Sequence, residues 1–188
     1  MNRSLEQRIA DAVREAVTIS LSNPLWPSLF EGEMHNLQKI LPNDIVLRYE
    51  HFGSTAVPGL AAKPIIDMLI EVSSLTLVQE RIVPILELSG YEYFWRTDVS
   101  PPYAWFIKRD EAGQRTHHLH MVEGSSDLWE RLLFRDYLRD HVSEAQRYAE
   151  LKLSLAKKYP HDRIGYTQGK TKYITSVMQK ARDFYAAT

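Results

Sequence analysis

The chain has 188 residues, which is enough for one domain with a sizeable core but not comfortably for two. Charged residues make up 25% and hydrophobic residues 44%, as is typical of soluble globular proteins, and no apolar run is long enough to span a bilayer. The formal net charge of −1 argues against a broad nucleic-acid-binding surface, and the absence of cysteine excludes disulfides.

The N-terminal segment lacks the apolar stretch of a secretory signal, so we expect a cytoplasmic protein with no membrane partner. Within residues 4–20, Leu5, Ile9, Val13 and Val17 recur at helical spacing among charged residues. This pattern predicts an amphipathic helix that ends near residue 22. We expect that helix, residues 1–22, to pack on a single domain spanning residues 1–188. A second helix is predicted to start at Trp26 and to stop before Pro42.

Two apolar runs flank a segment of small residues in the middle of the chain. Residues 45–49 and 65–72 have the β-branched and aromatic composition of strands. Between them, Gly53, Ser54 and Thr55 supply backbone amides and two hydroxyls where a short helix can start. Such a turn favours negative charge, so these residues and the nearby Lys63 are candidate phosphate ligands.

Two carboxylates interrupt the second of these apolar runs. Strand alternation places Asp67, Leu69 and Glu71 on one face. A buried carboxylate is costly to desolvate unless it meets a cation, a metal or strong donors. One interpretation is an ion pair with Lys63 or with an arginine from a neighbouring element. The other is a Mg²⁺ site in which Asp67 and Glu71 are ligands beside the phosphate-holding turn.

The next elements are a helix and two strands. Residues 75–88 have helical periodicity, and Pro84 within them predicts a kink or a break. Residues 91–96 and 103–108 are aromatic runs typical of two strands, joined by an irregular loop that contains two prolines.

A further strand, predicted over residues 116–122, carries histidines at alternate positions. His118 and His120 share one face, whereas His117 points to the other. Two imidazoles at this spacing can ligate one metal, but a pair without a known third ligand is a weak metal signal. We therefore favour contact with substrate phosphate over zinc, and keep a histidine-assisted metal hydrolase as an alternative.

The C-terminal part is predicted to be helical, with helices from Asp127, over 143–159 and over 172–184. Arginines at 131, 135 and 139 form a stripe of the kind usually found on a solvated helix face. Lys170 follows Gly169 in a segment that looks like a P-loop, but the required earlier glycine is replaced by Ile164 and the segment follows a helix. An ATPase is therefore excluded, and Lys170 is a candidate phosphate contact.

The run from Gly53 to Asp67 resembles the signature of the GrpB family, a group of small bacterial proteins with the nucleotidyltransferase fold. Three later blocks resemble that family in the same order: residues 116–120, 134–139 and 166–171. The resemblance covers almost the whole chain. Because Arg135 lies in one of these blocks, it is the arginine of the stripe that we expect to contact nucleotide or phosphate.

The resemblance implies an α/β fold in which a small mixed sheet of about five strands is flanked by helices and followed by a helical C-terminal portion. It implies nucleotide binding, or Mg²⁺-dependent transfer of a nucleotidyl group to an unknown acceptor. Gly53 and Ser54 would then hold nucleotide phosphate, and Asp67 and Glu71 would bind the metal. The expected partner is a nucleotide or a phosphorylated small molecule.

One position departs from the superfamily pattern. The metal-binding strand normally carries Asp-x-Asp or Asp-x-Glu, whereas Leu69 stands here at the second carboxylate position. Two-metal transfer needs several converging carboxylates, so this departure puts catalysis in question. A non-catalytic ligand-binding or accessory domain that retains the fold is therefore the main alternative.

Overall fold

The computed structural model describes residues 7, 10, 12, 15–97 and 101–187. In these residues a five-stranded sheet has the order β1-β2-β5-β4-β3. Its strands are β1 (Val46–Phe52), β2 (Ile66–Val72), β3 (Tyr91–Arg96), β4 (Tyr103–Arg109) and β5 (Arg115–Val122). Strands β2 and β5 are parallel, and the other neighbouring pairs are antiparallel. The prediction of a small mixed sheet is confirmed. Residues 98–100 of the predicted irregular loop lie outside the described residues.

Helices flank the sheet and form most of the C-terminal part, as predicted. They are α1 (Trp26–Ile40), α2 (residues 75–88), α3 (Arg131–Asp140), α4 (Val142–Lys158), α5 (Arg163–Gly169) and α6 (Thr171–Ala186), with 3-10 turns at Ser54–Ala56 and Asp127–Glu130. Helix α5 was not expected from the sequence. It starts where the Asp162 side chain accepts a hydrogen bond from the Gly165 amide. No helix in the described ranges is both long and apolar enough to cross a membrane.

The predicted irregularity at Pro84 is present in α2. The helix begins with an α-helical turn at Leu75–Leu77, passes through a π-helical turn at Val78–Ile82, and returns to α-helix at Val83–Leu88. Proline has no amide hydrogen to donate to the preceding turn, so the wider turn lies where the α-helical ladder is interrupted. Pro84 then occupies the start of the last segment, where the missing amide costs little.

One face of the sheet is covered by α1 and α2. Its core contains Leu37 from α1 and Ile82 and Leu86 from α2, which pack on Met68 and Leu119 of the two parallel strands. These five residues are fully buried. Removing apolar surface of this kind from water stabilises the fold by roughly 25 cal/mol per Å².

The opposite face of β2 and β5 is the side on which the C-terminal helices lie. These helices have their own core, in which Leu138, Tyr148 and Val177 pack against Val57 and Leu60 of the segment between β1 and β2. The segment of small residues is therefore held between the sheet and α3, α4 and α6. Such an arrangement leaves a cleft beside the segment rather than a fully packed layer.

The predicted N-terminal helix lies largely outside the described residues. Its described residues 7, 10 and 12 are helical, whereas residues 15–23 are not, which corrects the predicted end near residue 22. Ser20 instead forms a β-bridge with Ala62, and the Val17 amide donates to the Pro160 carbonyl. The β-branched run from Val17 to Ile19 favours this extended backbone.

Candidate functional site

A cleft of about 290 Å³ opens between the polar face of β2 and β5 and the C-terminal helices. Its lining combines the turn after β1, one carboxylate, two histidines, two tyrosines and three lysines. The residues that line it are Phe52, Gly53, Ser54, Thr55, Lys63, Ile65, Asp67, His118, His120, Tyr148, Lys152, Tyr166, Thr167 and Lys170. The cleft thus collects charge from segments that are far apart in the sequence.

The turn after β1 is shaped by a glycine. Gly53 has a φ of 73°, in the left-handed region that other residues adopt only at a cost. A Cβ at this position would also collide with Oδ2 of Asp67. Thr55 then fixes the turn, because its hydroxyl donates to the Ile65 carbonyl at 3.2 Å and contacts Nε2 of His51 at 3.0 Å. Its hydrogen-bonding capacity is therefore used within the protein.

Asp67 lies next to two imidazoles. In the parallel pairing of β2 with β5, Asp67 is in register with His118, and Leu69 is in register with His120. Oδ1 of Asp67 lies 2.9 Å from Nδ1 of His118 and 3.9 Å from Nε2 of His120. The prediction that His118 and His120 share one face is confirmed, and the structure brings this face together with Asp67. Nδ1 of His120 lies 3.2 Å from the hydroxyl of Tyr103.

The pKa values of Asp67 and His118 indicate which of the two side chains is charged near neutral pH. Burial raises the pKa of the Asp67 carboxyl, but hydrogen bonds and charge from His118 and His120 outweigh it and hold the pKa well below its ordinary value. Burial lowers the pKa of His118 to about 4, although the carboxylate of Asp67 pulls it upward. Near neutral pH, Asp67 is therefore ionised and His118 is neutral.

Arg115 determines which nitrogen of His118 carries the proton. Nη1 of Arg115 lies 3.3 Å from Nε2 of His118, and a guanidinium can only donate. Nε2 is therefore the acceptor, and Nδ1 carries the hydrogen that is donated to Asp67. Arg115 is itself held by the Ala12 carbonyl at 2.7 Å and by Glu15 at 2.6 Å.

Three lysines surround the other side of the cleft. Nζ of Lys63 lies 5.3 Å and Nζ of Lys170 lies 4.5 Å from the centre of the Tyr166 ring. Lys152 is 2% exposed, donates to the Ala61 carbonyl and lies 4.7 Å from the centre of the Tyr148 ring. These tyrosine rings provide cation–π contacts, which are weaker than an ion pair with a carboxylate.

The environment of the cleft disfavours the charged form of each of the three lysines. Burial, together with the charges of Lys170 and Arg163, lowers the pKa of Lys63 to about 7. Burial and the two other lysines likewise lower the pKa of Lys152 to about 7. Burial lowers the pKa of Lys170 to about 8 against the attraction of Asp67. An anion placed among them would reverse these shifts, because it favours the charged form of each.

The sequence and the fold of this chain match those of known proteins. A family model described as GrpB protein matches residues 16–180 of the chain. The chain belongs to the GrpB family. A UPF0157 protein of Pseudomonas aeruginosa is 39% identical over 180 residues, which cover 93% of this chain and 72% of that protein. The glutamate-rich protein GrpB of Alkalihalophilus pseudofirmus is 36% identical over 157 residues, with 82% of this chain and 90% of that protein covered.

A solved structure also matches this GrpB protein. It is described as the crystal structure of conserved protein GrpB from Enterococcus faecalis, and the two chains are 34% identical with a TM-score of 0.79. The match covers 89% of this chain and 99% of that chain. The membership of the family inferred from the sequence motifs is thereby confirmed.

Glu71 is not part of the cleft of this GrpB protein. It lies on the same face of β2 as Asp67, but four residues along a strand correspond to about 13 Å. Its carboxylate lies 4.0 Å from Nε of Arg48 and next to Gly124. The structure therefore does not bring Asp67 and Glu71, the predicted metal ligands, into one cleft, and the buried Leu69 stands between them on the strand.

Arg135 is also placed outside the cleft. Its guanidinium binds Oε2 of Glu50 at 2.9 Å, Oδ1 of Asp136 at 2.7 Å and the carbonyl of His51 at 2.9 Å. Arg139 acts similarly, because it donates twice to the Ala56 carbonyl. These arginines fasten α3 to β1 and to the turn. The structure therefore does not bring Arg135, a predicted phosphate ligand, into the cleft.

The other predicted residues are brought together. Gly53, Ser54, Thr55, Lys63, Asp67, His118, His120 and Lys170 all line the cleft. Lys152 was missed, along with Tyr148, Tyr166 and Thr167. A signal for Lys152 exists in the sequence, since it shares the apolar stripe of α4 with Tyr148 and Leu155 at helical spacing. A lysine on a buried stripe requires an explanation, as the carboxylate of Asp67 did.

The residues of the cleft do not fit Mg²⁺. This ion takes a near-octahedral set of hard oxygen ligands, whereas Asp67 is the one carboxylate that the described lining supplies. Asp67, His118 and His120 do have potential ligand atoms within 4.8 Å of one another, a set that suits imidazole-binding metals better. Against this, the nitrogen that His118 presents to Asp67 is protonated, and a protonated nitrogen has no lone pair for a metal.

Proposed function

We propose that this GrpB protein binds the phosphate groups of a nucleotide, or of another phosphorylated small molecule, in the cleft between the sheet and the C-terminal helices. The observation that carries this proposal is the convergence of Lys63, Lys152 and Lys170 on one cavity. Within the described residues, lysine ion pairs are formed by Lys108 and Lys180, which lie elsewhere, and none by the three cleft lysines.

The three cleft lysines are buried or half-buried without an ion pair to any described residue, which supports an anionic ligand. Removing an ammonium group from water is costly unless it is paired, and a folded protein retains such a cost mainly where it serves binding or catalysis. The lysines outnumber the single carboxylate of the lining, so the cleft has a cationic excess when they are protonated. A bound phosphate chain would accept hydrogen bonds from them and would neutralise that excess.

The size of the cavity limits how much of a nucleotide it can hold. Its volume of about 290 Å³ is at the small end of ligand sites, which span roughly 300–1,000 Å³. We therefore assign the phosphate chain to the cleft and the nucleoside to its mouth. On this proposal the protein recognises phosphate more strongly than the base.

The family resemblance supports a more specific proposal than phosphate binding, namely the transfer of a nucleotidyl group to an acceptor. This proposal is supported by the order of the Gly53-Ser54 turn and of Asp67 on the following strand. However, the described lining of the cleft lacks the second carboxylate of a two-metal site, so these residues do not support a reaction step through Mg²⁺. The single carboxylate favours a second candidate, an accessory domain that binds the ligand without turnover.

Calorimetric titration with ATP, GTP, CTP, UTP and the corresponding nucleosides tests the proposal. We expect all four nucleotides to bind with similar affinity and the nucleosides not to bind. Lys152→Met should abolish binding, whereas Lys157→Met, an exposed position on the same helix, should leave it unchanged. Nucleoside binding that equals nucleotide binding, or wild-type affinity in Lys152→Met, would contradict the proposal.

Chromatographic analysis of the same nucleotides after prolonged incubation separates the two candidates. Release of pyrophosphate that depends on Asp67 would support transfer. Binding without any product would support the accessory domain.

A further inference from the structure

We propose that the cleft binds a di- or triphosphate chain without a divalent cation, and that Mg²⁺ competes with the protein for this ligand. The inference rests on the proposed function and goes beyond it in naming the form of the ligand, a metal-free polyphosphate. In this arrangement the three lysines supply the counter-charge that metal ions supply in two-metal phosphoryl-transfer sites.

The charge of the cleft lining favours a free anion over a divalent cation. Protonated Lys63, Lys152 and Lys170 carry three positive charges, and Asp67 carries one negative charge. A divalent cation entering this cleft would face a net repulsion at short range in a partly buried site, where screening is weak. A free polyphosphate meets the opposite sign of charge and is attracted.

One oxygen of Asp67 is already hydrogen-bonded, and the other lies close to the turn after β1. Oδ1 accepts the hydrogen of Nδ1 of His118 at 2.9 Å. Oδ2 lies close to Gly53, near enough that a Cβ there would collide with it. A cation bound at Oδ1 would displace the hydrogen bond from His118, and a cation bound at Oδ2 would have little room beside the turn.

The tautomer of His118 also disfavours a metal ion. Moving the proton of His118 to Nε2, so that Nδ1 could ligate a metal, would set an N–H group against the N–H of Arg115 at 3.3 Å. Arg115 is held on its other side by Glu15 and by the Ala12 carbonyl. The arginine therefore opposes the tautomer that a three-ligand metal site requires.

The consequence for a nucleotide has a definite sign. Mg²⁺ chelated by a triphosphate neutralises part of the charge that the lysines recognise, so the chelate should bind more weakly than the free anion. At conventional two-metal sites the order is reversed, because the metal bridges the phosphates to protein carboxylates.

The test is calorimetric titration of the full chain with inorganic tripolyphosphate and with ATP, in EDTA and in excess MgCl₂, with NaCl added to equalise ionic strength. We expect affinity about tenfold or more higher in EDTA, which corresponds to about 1.4 kcal/mol. Binding that requires Mg²⁺, or that is equal in both buffers, would overturn the inference and leave the proposed function standing. An absence of binding in both buffers would instead refute the proposed function.

Two further measurements separate this inference from a transition-metal site. Asp67→Asn should increase tripolyphosphate affinity, because it removes the one negative charge of the lining, whereas loss of affinity in a variant that remains folded by circular dichroism would contradict the inference. Titration of the wild-type protein with MnCl₂ or ZnCl₂ in the absence of phosphate should show no binding at the cleft. Metal binding that is lost in His120→Ala would also contradict it.

Discussion

Nη1 of Arg115 lies 3.3 Å from Nε2 of His118, on the side of the imidazole opposite to Asp67. Because a guanidinium has no acceptor atom, this contact fixes the direction of the whole hydrogen-bonded series, from Arg115 through His118 to the carboxylate. Asp67 is thus kept ionised by a neutral histidine. The same contact opposes the use of His118 as a metal ligand.

A first prediction follows for the tautomer of His118. In the wild-type protein, ¹⁵N NMR at pH 7 should show the hydrogen on Nδ1. In Arg115→Met the constraint on Nε2 is removed, and a mixture of tautomers or a shifted pKa is expected. A wild-type spectrum with the hydrogen on Nε2 would contradict the assignment.

A second prediction concerns stability in acid. Burial lowers the folded-state pKa of His51 and of His118 to about 4, from an ordinary value of 6.5. Both groups are neutral when folded, so the unfolded chain takes up protons first as the pH falls below 6.5. Stability should therefore be greatest above pH 6.5 and be lost between pH 6.5 and 4, by about 2 kcal/mol per histidine between pH 7 and pH 5.

Urea unfolding at pH 7 and pH 5 measures this loss. His51→Gln should reduce the pH dependence by the contribution of one histidine. His35→Gln, at an exposed position, serves as the matched control. Equal pH dependence in all three proteins would show that these histidines are not the titrating groups.

A third prediction is that one substitution improves stability while it removes binding. Lys152 is fully buried and its pKa is lowered to about 7, so its charge is unfavourable in the ligand-free protein. Lys152→Met keeps the volume and removes the charge, and we expect the free energy of unfolding to rise by about 1–3 kcal/mol. Thermal or urea unfolding checks this; a large loss of stability would indicate that the lysine is structural.

A fourth prediction gives the pH dependence of binding. The lysines have a pKa of about 7 for Lys63, about 7 for Lys152 and about 8 for Lys170 in the free protein. A bound anion raises these values, so binding above pH 7 should take up protons, and affinity should fall as the pH rises from 7 to 9. Titrations at pH 8 in buffers of different ionisation enthalpy count the protons; proton release would contradict the lysine assignment.

A fifth prediction tests the turn after β1. Gly53→Ala introduces a Cβ at a φ of 73° and against Oδ2 of Asp67, so we expect a loss of about 1–3 kcal/mol in stability together with weaker phosphate binding. Gly32→Ala is the control, because Gly32 lies in α1 with open space around it and alanine favours helix there. An equal response of the two variants would contradict the role given to Gly53.

The sequence predicts most of the sheet because its signals are local. Alternation placed His118 and His120 on one face, and the β-branched composition of β1 and β2 was enough to identify those strands. The misplacement of Glu71 has a physical cause. Alternation gives the shared face of Asp67 and Glu71, but four residues of strand separate them by about 13 Å, with Leu69 between them.

The lysine site was less accessible to prediction because it depends on tertiary packing. Lys63 and Lys170 could be suggested from their neighbours in the sequence, but Lys152 joins them through the way α4 lies over the small-residue segment. Arg135 and Lys152 are both basic residues on amphipathic helices, and the sequence does not reveal which of them meets carboxylates and which meets the cleft. Only the packing of α3 and α4 distinguishes them.

A crystal structure of the protein with inorganic tripolyphosphate, grown in EDTA, tests the central claim most directly. We expect phosphate density in the cleft and no cation at Asp67. The phosphate oxygens should lie within hydrogen-bond distance of Nζ of Lys63, Lys152 and Lys170. Density for a phosphate chain at another site, or a metal ion that bridges phosphate to Asp67 and His120, would contradict it.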